Sequence, residues 1–462
     1  MSTNRHTDFT AGSIPKHLIR FSIPMFLGNL LQALYNTVDS FWVGRFLGPN
    51  ALAAVSIGFP IILALVAVVM GLTMATTVMV SQYYGARQTE MVKRTVGNTI
   101  VLLVAASLLL SALGLAVVRP LLGLISTPPE LMADALSYLR IFITGLVFMF
   151  LYNALSAILR GLGDSRTPLR FLFYATVINI ILDPLMIFGV WPFPRMGVAG
   201  AALATVLAQA ISVLLLFHYL SRTNHLLPTA PAQWRFDAAL TRTMFRIGLP
   251  SGAQQLVVSM GGLVLTSIIN AFGSTIVAAY GAASRLDQFA FMPSMSTSLA
   301  VSSLVGQNIG AGKFDRVRQV VRWGTLISAG ITAALSALAV FAPQPLLSLF
   351  TTDQAVLAAG ATYLRIVGLS YIPFAVMLAI NGALRGAGDS LPTMLNTIGS
   401  LWLIRVPLAK VLSAVPSLGP TGIWVAVAAS PVAGLLLSYG YYLTGRWKTK
   451  SVVQPLLEEG EF

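Results

Sequence analysis

A handful of acidic, amide and hydroxyl side chains stand inside stretches of this chain that are otherwise greasy. Gln32, Tyr35, Asn36 and Asp39 follow one another at spacings that put them on one face of a helix. Asn179 and Asp183, four residues apart, share a face in the same way, and Pro184 beside the carboxylate loosens the backbone ladder there. A carboxylate at mid-membrane costs at least about 2.5 kcal/mol to insert, so such groups default to lining a cavity where a proton or cation is handled. Gln32, Tyr35 and Asn36, with Asn153 further along, are candidates for the wall of a substrate cleft. Pro24, fifteen residues before Asp39, removes an internal hydrogen bond from the same helix and is a candidate hinge.

The elements that must carry these groups are membrane spans. Of 462 residues, 56% are hydrophobic and 10% charged, whereas a soluble globular chain carries about 25% charged residues. Apolar runs such as 61–80, 99–118 and 320–340 match the roughly 20 residues needed to cross a bilayer. Segments bounded by Gly, Pro and charge predict helices near 19–43, 51–80, 95–119, 136–160, 170–190 and 197–220. A second set is expected near 243–271, 276–308, 319–342, 360–385, 392–412 and 420–444. The expected fold class is therefore an all-α polytopic membrane protein of twelve spans.

Motifs recur at a shift of about 225 residues. Ser81-Gln82-Tyr83-Tyr84-Gly85-Ala86 matches Gly306-Gln307-Asn308-Ile309-Gly310-Ala311, and Leu159-Arg160-Gly161-Leu162-Gly163-Asp164-Ser165 matches Leu384-Arg385-Gly386-Ala387-Gly388-Asp389-Ser390. Tyr138-Leu139-Arg140 likewise matches Tyr363-Leu364-Arg365. Each half has an even number of spans, so the halves enter the membrane in the same direction, as a parallel repeat. The expected division is an N-lobe at 1–220, a cytoplasmic linker at 221–242 and a C-lobe with a short tail at 243–462. Lys and Arg gather in alternate loops and at both ends, which by the positive-inside rule makes both termini cytoplasmic. That pattern accounts for the net charge of +14 without nucleic acid.

The repeat is not symmetric in its acids. Asp39 aligns with Leu265, and Asp183-Pro184 with Val406-Pro407. A duplicated fold that needed the carboxylates for support would need them twice, so a coupling site in the first half is expected. In the second half Asp287 is expected to pair with Arg405 or a backbone group, and the two Gly-Asp-Ser turns to cap the helices that follow them. The chain has no cysteine, and its four His residues, at 6, 17, 218 and 225, stand at the N-terminal end or near the linker. Neither a His metal cluster nor a His-based triad is available, which disfavours an enzyme. Residues 306–314 lack the Gly and Ser/Thr of a phosphate loop, so no nucleotide engine is expected.

Gln-Ala-Leu-Tyr-Asn-Thr-Val-Asp at 32–39, Leu-Arg-Gly-Leu-Gly-Asp-Ser at 159–165 and Gly-Val-Ala-Gly-Ala-Ala-Leu-Ala-Thr at 197–205 resemble the multidrug and toxic compound extrusion family, in its DinF-like prokaryotic branch. That resemblance implies two lobes around a cleft, alternating access, and export of organic cations or amphipathic compounds against entering H⁺ or Na⁺. It also implies cation coupling by Asp39, Asn179, Asp183 and Thr205, which would hold Na⁺ if that is the coupling ion. Beyond a coupling ion no cofactor is expected. A monomer in a prokaryotic plasma membrane is expected, with small organic molecules and the lipid bilayer as its partners. A flippase of lipid-linked precursors, built on the same plan, is the alternative within transport.

Overall fold

The structure is a computed structural model and describes residues 7–223 and 234–453. The middle of the expected linker, residues 224–233, lies outside the described residues, as does the end of the C-terminal tail. Among the described residues every regular element is helical.

The first half runs α1 (Ile14–Trp42), α2 (Pro49–Gly85), α3 (Thr89–Leu124), α4 (Pro129–Thr144), α5 (Leu146–Gly161), α6 (Arg166–Phe188) and α7 (Val198–Arg222). The second runs α8 (Ala238–Asn270), α9 (Ser274–Gly310), α10 (Phe314–Phe341), the short α11 (Pro343–Leu347), α12 (Gln354–Gly368), α13 (Tyr371–Gly386), α14 (Ser390–Ile398), α15 (Val406–Ser413) and α16 (Pro420–Leu443). Among the described residues, ten continuous helical segments are long and apolar enough to cross a membrane. Two further pairs, α4 with α5 and α12 with α13, are each bent by 46° and complete a set of twelve spans. The sequence pattern places each pair as one straight helix. The bends fall at equivalent places in the repeat, beside Gly145 and after Gly368, where a Cβ would meet Val206 at 2.3 Å and Ala339 at 3.0 Å.

The side chains are sorted as lipid demands. Leu214, Leu263, Leu403 and Leu436 each expose about two thirds or more of their surface, whereas small polar residues are buried between helices and hydrogen-bond across them. Thr76 of α2 meets Thr99 of α3 at 3.3 Å, and Ser294 of α9 meets Thr332 of α10 at 3.0 Å. Larger apolar groups fill the remaining space in each half, with Leu103, Leu139, Ile143 and Phe150 in one cluster and Tyr363, Trp424 and Ile423 in another.

The helices form two compact units, one holding Leu27–Val80 and Gln88–Arg246, the other Asp8–Phe26, Ser81–Arg87 and Ile247–Phe462. The first turns of α1 and the last turns of α2 thus pack with the second half of the chain. The division in α1 falls two residues beyond Pro24, within an uninterrupted helix.

The two Gly-Asp-Ser turns differ. Asp164 caps α6, accepting the backbone N–H groups of Arg166 at 2.9 Å and Thr167 at 3.0 Å, as expected. Asp389 instead accepts the Tyr441 hydroxyl at 2.6 Å, and its side chain makes no capping bond.

Asp237 fixes the start of α8. Its carboxylate accepts the N–H groups of Ala239 and Leu240 at 3.0 and 3.1 Å and an Arg94 N–H at 2.6 Å. The Leu240 bond above all, followed by the Arg94 hydrogen bond and charge, holds this carboxyl below its ordinary value despite the opposing effect of burial. A depressed value in the folded state stabilises above the unfolded value of about 3.9 and is lost as pH falls through the folded value. Asp237→Ala should therefore cost about 1 kcal/mol at neutral pH, the size of a helix cap. Thermal unfolding across pH should show the gap between variant and wild type closing below about pH 4; an undiminished gap there would rule out the carboxylate as its source.

Candidate functional site

The site is assembled by the part of α1 beyond Leu27 and by α4, α6 and α7, all within the first compact unit. Gly200 lets α7 lie directly on α6, because a Cβ there would stand 2.7 Å from the Met186 carbonyl oxygen. Ser212 donates to the Phe171 carbonyl at 2.8 Å further along the same seam. Between these two contacts, antiparallel register brings Thr205 opposite Asn179. On the other side Gly28 of α1 packs against Leu169 and Leu172 of α6. Eleven residues on along both helices, the parallel register faces Asp39 toward Asp183.

The result is one continuous polar cluster. Asn179 donates from Nδ2 to Asp183 Oδ1 at 3.1 Å and to Thr205 Oγ1 at 3.5 Å, and Thr205 donates to Asp39 Oδ2 at 3.3 Å. Asn179 and Asp183 are fully buried, Thr205 is buried, and Asp39 is half-buried with its Oδ1 enclosed. Tyr35, one turn before Asp39, turns its hydroxyl inward with no hydrogen-bond partner among the described residues. The three ion pairs among the described residues include neither carboxyl.

The donor and acceptor count does not balance. Asp39 Oδ1, Asp183 Oδ2 and Asn179 Oδ1 are buried acceptors without a donor among the described residues. Buried polar groups are normally satisfied, and an unmet one costs on the order of 1–3 kcal/mol. A proton on one carboxyl would turn an acceptor into a donor. A hard monovalent cation would instead draw on oxygen ligands of the kind gathered here, two carboxyls, an amide and a hydroxyl.

The four residues assigned to cation coupling are therefore brought together, with Tyr35 beside them. The other cleft candidates stand apart from the cluster. Gln32 and Asn36 are exposed on α1 and pair weakly with each other at 3.4 Å. Asn153 on α5 donates to the carbonyl of Met149 in its own helix at 2.8 Å. Pro24 lies on α1 far below the cluster.

Two features escape the sequence. The backbone after Asp39 widens into a π-helical turn at Val43–Leu47, a local insertion often found at functional sites. Tyr138 of α4 lies within electrostatic reach of both Asp39 and Asp183. Its repeat mate Tyr363 also faces a carboxylate, since Tyr363 and Tyr371 both donate their hydroxyls to Asp287 of α9. This corrects the expected pairing of Asp287 with Arg405 or a backbone group: Arg405 lies within electrostatic reach of the carboxylate but donates to Ser430 Oγ at 2.7 Å. The tyrosines lie on either side of the bend between α12 and α13, a break that helical periodicity cannot foresee. The shared tyrosine motif is the one signal that could have pointed to both contacts.

The MatE family model matches twice, at residues 24–185 and 250–411, once in each half of the chain. The first match includes Asp39, Asn179 and Asp183 and stops before Thr205. The chain is 35% identical over 444 residues to "Probable multidrug resistance protein YpnP" of Bacillus subtilis, covering 96% of this chain and 97% of that protein. It is 34% identical over 445 residues to "Probable multidrug resistance protein YoeA" of the same organism, covering 96% of each. Among solved structures, a MATE protein crystallised in the bent conformation shares the fold, with a TM-score of 0.90 at 23% identity over 98% of this chain and all of that one. Two family matches on the two halves, and relatives alike over nearly their whole length, establish that the chain belongs to the MatE family of membrane transporters.

Proposed function

We propose that the protein is a secondary active exporter of organic cations or amphipathic compounds, driven by H⁺ or Na⁺ entering through the cluster of Asp39, Asn179, Asp183 and Thr205. The observation that carries this reading is the set of three buried acceptor oxygens left without donors on two carboxyls and an amide. Such a cluster is incomplete by itself and is completed by a proton or a cation. The names of the relatives in Bacillus subtilis, both multidrug resistance proteins, support the substrate class.

Ion binding can drive export only if it favours one access state over another. The cluster joins α1 to α6 and α7, so filling it tightens the outer part of α1 against its neighbours. The inner part of α1 packs in the other compact unit, and Pro24 stands beside the division. Bending at Pro24 is the element through which occupancy of the site would alternate access. The positive-inside distribution supports a multi-pass protein of a prokaryotic plasma membrane with both chain ends in the cytoplasm. The proposed working unit is a monomer, since every group of the cluster comes from one chain.

The test is reconstitution into liposomes with ethidium as the transported probe and with H⁺ and Na⁺ gradients imposed separately. Ethidium should accumulate against its gradient under one of the two and should dissipate when that gradient is collapsed. Flux indifferent to both gradients would leave a passive pore and sink the coupled reading.

A further inference from the structure

Along part of their shared seam, α1 and α6 leave an open groove. Gly28 of α1 is in ordinary contact with α6, since a Cβ there would stand 3.9 Å from Leu169 and 4.0 Å from Leu172. Beside that contact runs a groove of about 610 Å³, walled by Leu27, Leu30 and Leu34 of α1 and by Arg170, Phe173 and Tyr174 of α6. The volume is in the range of ligand sites. The leucines follow at spacings of three and four, which makes them one stripe on α1. All three, and both aromatic residues, are exposed. Every residue of the groove belongs to the first compact unit.

The groove is apolar except at one end. Arg170 is exposed, and so is Arg166, one turn earlier on the same face of α6. Neither arginine belongs to the three ion pairs among the described residues. The acid nearest to them in sequence, Asp164, is committed to the cap of α6, where it accepts the N–H groups of Arg166 and Thr167 and the Thr167 hydroxyl at 2.6 Å. The parallel register that sets Gly28 against Leu169 and Leu172 puts Arg170 near Leu27, at the end of the groove closer to the start of both helices. In the proposed orientation that is the cytoplasmic end. An arginine at this depth lays its stem along apolar surface and extends its guanidinium to the interface.

We propose that this groove is a binding site for one anionic phospholipid of the inner leaflet, its acyl chain along the leucines and its phosphate on Arg170 and Arg166. Charge decides between the occupants. Two guanidinium groups at the mouth repel the organic cations of the proposed export activity and attract an anionic headgroup. Length agrees with a chain from one leaflet: Leu27 to Leu34 spans about 10 Å of helix, a third of a hydrocarbon core about 30 Å thick. The seated chain lies on α1 between Pro24 and Asp39 and fills the space into which α1 would lean toward α6. The lipid thus props the helix that carries a coupling carboxylate. Binding stands without the exporter reading, whereas the consequence for coupling rests on it.

The test is photolabelling in phosphatidylcholine liposomes that contain a trace of phosphatidylglycerol bearing a diazirine on its acyl chain, with adducts mapped by mass spectrometry. Adducts should concentrate on the peptides that hold Leu27–Leu34 and Leu169–Tyr174, measured against those on the exposed leucines of α3, Leu108, Leu109 and Leu113. Unlabelled phosphatidylglycerol should displace them at a concentration at least about fivefold lower than added phosphatidylcholine. Arg170→Gln should lower the groove adducts about fivefold relative to those on α3, and Arg170→Lys should retain most of them. Leu30→Trp, which fills the groove and keeps both arginines, should lower them as well. Equal displacement by the two lipids would make the groove an ordinary boundary site and overturn the proposal. Displacement by ethidium would overturn it in favour of a transport site, and a fall shared equally by α3 in Arg170→Gln would report general loosening and overturn it too. The labelling needs neither a gradient nor an exported compound, so its failure and that of ion coupling are separable.

Discussion

Asp39→Asn and Asp183→Asn should each reduce gradient-driven ethidium flux at least about tenfold in liposomes, with the protein still folded. Asparagine keeps the shape of the side chain and one acceptor oxygen, and its amide can donate to the oxygens that now lack donors. It cannot take up and release a proton, and it brings no charge to attract a cation. The cluster would be satisfied in one fixed state, and a site that no longer changes occupancy cannot bias one access state over the other. Thr205→Val should be milder, because Thr205 supplies one hydroxyl link between α7 and Asp39 and no charge. Loss of such a link is worth about 1 kcal/mol, roughly fivefold in ion affinity. Full gradient dependence retained in both asparagine variants would place the coupling site elsewhere in the molecule.

What could be read without coordinates followed from solvent physics. Lipid makes charge expensive everywhere along a span, so Asp39, Asn179 and Asp183 stood out from their surroundings, and helical spacing was enough to give each a face. The duplication was visible because the two halves kept Gln82 and Gln307, or Tyr138 and Tyr363, in register. Thr205 could not be found in this way. A threonine on an apolar helix is ordinary in a membrane protein; in sequence only its resemblance to a family motif marks it, and its place beside Asn179 depends on Gly200 seating α7 on α6.

Other features depend on contacts between segments distant in the chain. The bends beside Gly145 and after Gly368 interrupt patterns that stay apolar and helical throughout, and the close approach of Val206 or Ala339 is invisible to periodicity. The expected first-half boundary cannot register that the last turn of α2 packs with α9, since this is decided by Gly85, Gly306 and Gly310, where a Cβ would find no room. The acidic asymmetry between the halves was real at the aligned positions. The second half nevertheless has a buried carboxylate, Asp287, brought to the equivalent tyrosine from a different helix.

That carboxylate is the basis of the second large expected effect. Asp287→Ala should destabilise the protein by about 3–5 kcal/mol, the cost of breaking a buried polar network by removing one partner. Tyr363 and Tyr371 are both buried, and each gives its hydroxyl to a different oxygen of Asp287. Removing the acceptor leaves two hydroxyls without partners, at about 1–3 kcal/mol each. It also removes the negative charge nearest Arg405, whose guanidinium then keeps the Ser430 bond. Because the two tyrosines stand on opposite sides of the 46° bend, the same carboxylate fixes the angle between α12 and α13. Asp287→Asn, which retains one acceptor oxygen, should fall between wild type and alanine. Thermal unfolding of detergent-purified protein, followed by the loss of the monodisperse peak, should rank the three in that order. Alanine within about 1 kcal/mol of wild type would mean that water or a neighbouring carbonyl replaces Asp287 without cost, and that the bend is held by packing alone.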